Sequence, residues 1–182
     1  IGKAAIFINV NVSAKQLERP DFCRVVLELL DKTEFPVRHL CLEITERCRS
    51  LPVSVINERM AVLRGYGIKF AMDDFGTGSS SSAMALEMLI DEIKIDMSFI
   101  RKILVNKKNK AIVQSMVDFA NAANIKSCLE GVENKALEDY LRTVGATWFQ
   151  GYYYSRPCSA EEFSKKYFNG KDKTGSYGCL KK

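Results

Sequence analysis

The chain has 182 residues, 47% of them apolar and 27% charged, which is the balance of one soluble globular domain rather than a disordered tail or a fibre. No run approaches the ~18 uninterrupted apolar residues that a membrane span requires, so no membrane segment is expected in this chain. Four lysines and one aspartate among the last twelve residues supply +3 of the formal charge of +5, leaving a nearly neutral body and no basic face for duplex nucleic acid.

The strand candidates, in chain order, are Ala5–Val10, Leu40–Ile44, Lys69–Met72, Glu92–Ile95, Lys126–Leu129 and Thr147–Phe149. Each is short, mostly apolar and bounded by polar or turn residues, as buried parallel strands are. Between them, Pro20–Lys32 carries an apolar stripe of Phe22, Val25, Val26, Leu29 and Leu30. Val53–Arg64 carries Ile56, Met60 and Leu63 and is closed by Gly65 and Gly67. Asn109–Ala123 is expected to bury Ile112, Met116 and Phe119, and Ser159 with Glu162 spells a capping box for a last helix running through Tyr167. This alternation of strand and helix predicts parallel strands joined by helical crossovers. The expected division is a barrel-type domain over residues 1–168 and a flexible basic tail over 169–182, where Gly, Lys and Ser mix without periodicity.

Scarce residues narrow the chemistry. His39 is the only histidine, so Ser-His-Asp machinery and histidine-rich metal sites have little to work with. Cys23, Cys41, Cys48, Cys128, Cys158 and Cys179 are scattered without a CxxC pair and read as a reduced set of packing residues. A reactive centre must then be built from carboxylates, amides and lysine.

Position supplies the rest. Asn11, Glu43, Asp73 with Asp74, Lys94, Glu130 and Gln150 each fall at or near the end of a predicted strand, at intervals of 32, 30, 21, 36 and 20 residues. In a parallel α/β barrel the C-terminal strand ends converge on one face. In an open sheet only those near a switch point would meet. Six contributing strands favour the barrel. Asp73 and Asp74 sharing a pocket would repel one another unless cations kept both ionised. Glu43 and Asn11 add the oxygen donors that Mg²⁺ and Mn²⁺ prefer. Two such ions, roughly 3.5–4 Å apart, form a clamp for in-line displacement at phosphorus. Lys94 is read as a charge for a phosphate oxygen, against a simple salt bridge to Asp96 or Glu130. Schiff-base chemistry is disfavoured because neighbouring carboxylates raise a lysine's pKa. Glu130 is read as a ligand of the second ion or as the acceptor of the water's proton. The polar run from Asp73 to Ser82 is either a backbone phosphate cradle or a turn into the next helix.

The runs Asn11-Val12-Ser13, Leu42-Glu43-Ile44-Thr45-Glu46, Asp73-Asp74-Phe75-Gly76-Thr77-Gly78, Ile93-Lys94-Ile95-Asp96, Glu130-Gly131-Val132-Glu133 and Gln150-Gly151-Tyr152 together resemble the bacterial EAL domain. That family hydrolyses cyclic di-GMP to a linear dinucleotide on a modified TIM (β/α)8 barrel with Mg²⁺ or Mn²⁺. The resemblance implies that Asn11, Glu43 and Asp73 ligate a first ion and that Asp73 bridges to a second, which Asp74 completes. It makes Lys94, Glu130 and Gln150 the groups that position or activate water. It also makes Glu46 the anchor of the loop after Asp74, with Asp96 and Glu133 as supports behind the ligands.

Two departures stand out. The Glu-Ala-Leu signature would precede Ile1, and a closed barrel takes roughly 250 residues. About six βα units are therefore expected here, with the first strands missing, and this segment alone is expected to be inactive and prone to aggregate. Ser79 stands where the family carries a bulky tyrosine, which bears on loop packing and dimer control. The expected whole is a cytoplasmic phosphodiesterase, with any membrane tether lying in other regions. It would be a homodimer linked to a sensory or GGDEF-type domain, and the alternative is an inactive receptor for cyclic di-GMP.

Overall fold

The computed structural model describes residues 6–45, 51–78 and 81–169. Six parallel strands run through it: β1 (Ile8–Val12), β2 (Leu40–Thr45), β3 (Lys69–Phe75), β4 (Glu92–Ile95), β5 (Lys126–Glu130) and β6 (Trp148–Gln150). Their order in the sheet is their order in the chain. An order that never reverses has no topological switch point, so the open doubly wound sheet is set aside and the architecture is a partial (β/α) barrel.

Helices fill the crossovers. They are α1 (Ala14–Glu18), α2 (Phe22–Thr33), α3 (Val53–Gly65), α4 (Ser81–Glu87), α5 (Met97–Ile100), α6 (Lys107–Ala122), α7 (Lys135–Arg142) and α8 (Ala160–Ser164). Side chains start several of them. Ser13 and Gln16 form a capping box on α1, Asn106 and Asn134 cap α6 and α7, and Ser159 with Glu162 forms the expected box on α8. The α-helical part of that last element ends at Ser164, and a π turn continues over Lys165–Asn169. None of the helices among the described residues is long and apolar enough to cross a membrane.

Alternation sorts the strand side chains into two faces. Leu42, Ile44, Phe70, Met72, Ile93 and Leu129, all at most 3% exposed, face the helices and make the core with Ile56, Met60 and Leu63 of α3. On α6 the buried stripe is Val113, Val117 and Ala120, while Ile112 is 41% exposed, a correction to the expected face. The helix is rotated by one residue relative to that reading, with Met116 and Phe119 only at its flank. On α2, Leu29 likewise points outward, and Phe22 and Leu30 carry the burial.

The other face of the sheet is the barrel interior, and it is polar. In register across it lie Asn9 with Cys41, Asn11 with Glu43, Thr45 with Asp73, Lys94 with Cys128, and Glu130 with Gln150. Five of the six strands therefore run further than expected: polar residues do not end them, because those residues belong to the inner face.

Candidate active site

Nζ of Lys94 sits at the centre of this interior, with a side chain wholly removed from solvent. It lies 2.6 Å from Oε1 of Glu43, 2.8 Å from Oε1 of Glu130 and 3.5 Å from Oδ1 of Asp73. Three strands, β2, β3 and β5, thus deliver carboxylates to a lysine held on β4. Burial works against the charge, but Glu130, Glu43 and Asp73 outweigh it and hold the ammonium's pKa above the ordinary lysine value. Lys94 is therefore a fixed cation, with no free amine for Schiff-base chemistry. Of the two alternative salt bridges, the one to Asp96 is absent among the described ion pairs, whereas the one to Glu130 is present and is shared with Glu43 and Asp73. The partners of Lys94 are the strand-end carboxylates.

Asn11 lies beside Glu43 in the β1–β2 register, and Gln150 lies beside Glu130 in the β5–β6 register. Oε1 of Gln150 is buried with no hydrogen-bond partner among the described residues. The adjacent aspartates need a special backbone. Met72 pairs with Ile93 and Phe75 with Ile95, so three steps on β3 match two on β4. This β-bulge, with Asp74 in the left-handed region at φ 55°, breaks the alternation that would force Asp73 and Asp74 to opposite sides of the sheet. Aspartate tolerates that conformation better than most residues. The turn is closed by N–H and Oγ1 of Thr77, both donating to the Asp74 carbonyl at 3.2 and 2.9 Å.

Two glycines lock the β5 and β6 ends together. A Cβ on Gly151 would lie 2.1 Å from the Val132 carbonyl oxygen, and one on Gly131, at φ 78°, would lie 2.5 Å from Cβ of Met97. The Val132 N–H donates to the Gln150 carbonyl at 3.0 Å, so Glu130 and Gln150 are held at one rim. Asp96 stands outside the cluster: it caps α5 by accepting from the Ser98 N–H at 2.9 Å, and so fixes Met97 against Gly131. Glu133 is half exposed and pairs with Arg101 at 3.8 Å, away from the carboxylates. Glu46 and Ser79 lie outside the described residues.

One residue in the site is absent from the sequence reading. Nδ2 of Asn9 donates to Oε1 of Glu43 at 3.0 Å. Its signal was its spacing of two from Asn11, which places both amides on one face of β1.

The donor set suits a hard divalent cation. Among the described residues, three carboxylates share the Lys94 ammonium, leaving the cluster net negative, and its other polar groups are amides with oxygen donors. The acceptor without a partner on Gln150 fits the same chemistry. No three carboxylates, cysteines or histidines of the described residues are already spread around a common cation position. Instead, Glu43, Asp73 and Glu130 turn toward the lysine.

The family profile described as the EAL domain matches residues 2–157. The chain belongs to the EAL domain family. It is 31% identical over 160 residues to the cyclic di-GMP phosphodiesterase PdeB of Shewanella oneidensis, covering 88% of this chain and 19% of that protein. The EAL domain of Mycobacterium smegmatis DcpA superposes with a TM-score of 0.86 at 29% identity, over 91% of this chain and 74% of that one. Klebsiella pneumoniae BlrP1, solved as a manganese and cyclic di-GMP complex, gives a TM-score of 0.78 at 28% identity, over 85% of this chain and 40% of that one. The chain spans about a fifth of the length of the first curated relatives it matches.

Proposed function

We propose that the protein carrying this EAL domain hydrolyses cyclic di-GMP to the linear dinucleotide, using two divalent ions, Mg²⁺ or Mn²⁺. The observation that supports this most is the burial of Lys94 among Glu43, Asp73 and Glu130, a fixed cation amid excess carboxylate at one barrel rim. Asn11, Glu43, Asp73 and Asp74 would hold the ions, with Glu130 reaching the second. Ions bound there polarise a phosphoryl oxygen and lower the pKa of water.

The chain's own side chains do the rest. Lys94 donates N–H hydrogen bonds to a non-bridging phosphate oxygen as charge builds on it. Glu130 accepts the proton of the attacking water while the new P–O bond forms and the bond to the 3′-oxygen breaks in line. Oε1 of Gln150, buried and lacking a partner among the described residues, accepts from that water and fixes its direction. Glu46 would anchor the loop after Asp74, and Asp96 and Glu133 would act only through the helix and loop that they hold. The same proposal places the protein in the cytoplasm as a homodimer, joined to a sensory or GGDEF-type domain.

The test is turnover of cyclic di-GMP with Mn²⁺ by the protein carrying this domain. Asp73→Asn and Glu130→Gln are expected to lower kcat by about 10²–10⁴-fold, the range that loss of general acid–base and charge stabilisation produces. Tight binding without turnover in the unaltered protein would make the domain a receptor, and no affinity at all would overturn both readings.

A further inference from the structure

Asn9 is a half-buried residue of β1, and the sequence motifs do not account for it. It is two register positions below the Asn11–Glu43 pair, opposite Cys41, so its side chain shares the inner face with both candidate ligands. A carboxylate can only accept hydrogen bonds, so the Asn9 amide must turn its NH₂ toward Glu43. It does so at 3.0 Å, on the same Oε1 that receives Nζ of Lys94 at 2.6 Å. Glu43 is thus held from two sides, by an amide hydrogen bond from β1 and an ion pair with the ammonium on β4. A hydrogen bond and an ion pair on the same carboxylate oxygen restrict the rotation of the group and leave its other oxygen to face elsewhere. A second ammonium at that point would halve the excess negative charge that draws in a cation, whereas an amide leaves it in place.

We propose that Asn9 is a positioning residue for the divalent cation site: by holding Oε1 of Glu43 it presents Oε2 to the ion. This rests on the phosphodiesterase reading, since it needs Glu43 to be a ligand. The role is one of orientation, and residues that orient ligands this way carry about 10–100-fold in metal affinity.

The experiment is a Mn²⁺ titration of the protein carrying this domain, followed by the electron paramagnetic resonance signal of free Mn²⁺, with thermal midpoints measured alongside. Asn9→Ala is expected to weaken Mn²⁺ binding about 10–100-fold. Asn9→Ser keeps a short donor and is expected to recover part of that loss. At saturating Mn²⁺ the KM for cyclic di-GMP should stay within about two-fold and kcat should return toward the unaltered value, since only orientation has been lost. Asn9→Ala binding Mn²⁺ as tightly as the unaltered protein would overturn the inference while leaving the functional reading intact. So would equal weakening in both variants together with a fall in thermal midpoint. Failure of the unaltered protein to bind Mn²⁺ would overturn the functional reading, and this inference with it.

Discussion

Nζ of Lys94 lies 2.6 Å from Oε1 of Glu43, and both side chains are all but removed from solvent. A charge pair this deep is compensated only within its own cluster, because each ion has given up its water. Lys94→Met leaves Glu43, Asp73 and Glu130 facing one another without their shared cation. The expected loss is about 3–5 kcal/mol of stability by urea denaturation, the cost of uncompensated buried charge. Added Mn²⁺ should return part of it by taking the place of the ammonium. A variant as stable as the unaltered protein without metal would show that the cluster is not held by this lysine.

Gly151 has no room for even a methyl group, with the Val132 carbonyl oxygen 2.1 Å and the Val132 nitrogen 2.4 Å from the position of its Cβ. Gly151→Ala must push apart the segment where Val132 donates to Gln150 and accepts from Tyr153, both at 3.0 Å. We expect a loss of about 1–3 kcal/mol, the usual range for overpacking, and a fall in kcat through displacement of Gln150. Thermal unfolding with steady-state kinetics checks both.

Glu92 lies on the inner face of β4, beside Lys126 in the register. Burial raises its pKa from 4.5 to about 7, against the pull of Lys94, and Glu43 adds to the rise. The folded state therefore holds this proton more tightly than the unfolded chain. Its contribution to stability is present at low pH and is lost as pH rises from about 4.5 through 7. Glu92→Gln should flatten that part of the stability profile and make the protein more stable than the unaltered chain near pH 8. Equal slopes for both proteins between pH 5 and 7 would count against it.

How much of this was written in the sequence differs from residue to residue. The strand order and the convergence of Glu43, Asp73, Lys94 and Glu130 follow from the spacing of polar groups at strand ends, and the structure brings those four together. Strand ends were harder to read. Glu130 and Gln150 look like loop residues because water usually ends a strand, yet here the barrel interior is itself polar and the ladder continues through them. The bulge at Asp73 and Asp74 has no period-two signature, since it is an exception to that period. Ile112, Met116 and Phe119 are larger than Val113, Val117 and Ala120 and so look like the core stripe, yet it is the smaller set, one residue on, that α6 buries. Glu133 follows Glu130 by three residues and faces the surface, where Arg101 takes it.

The hydroxyl of Tyr154 donates to Oε1 of Glu138 at 3.3 Å, tying the chain after β6 to α7. Burial and the neighbouring Glu138 push the phenol pKa up to about 12, so it remains a donor across the working pH range. Tyr154→Phe should cost about 0.5–1.5 kcal/mol, the worth of one such hydrogen bond. A larger loss in denaturant unfolding would mean that the ring's packing, unaltered in the variant's design, had been disturbed as well.

The most direct test of the account is the number of Mn²⁺ ions that the protein carrying this domain binds, counted by equilibrium titration, before and after Asp73→Asn. The account predicts two ions per chain, with at least one lost or strongly weakened when Asp73 gives up its charge. Occupancy that is absent at millimolar Mn²⁺, or that does not change with Asp73→Asn, would contradict it.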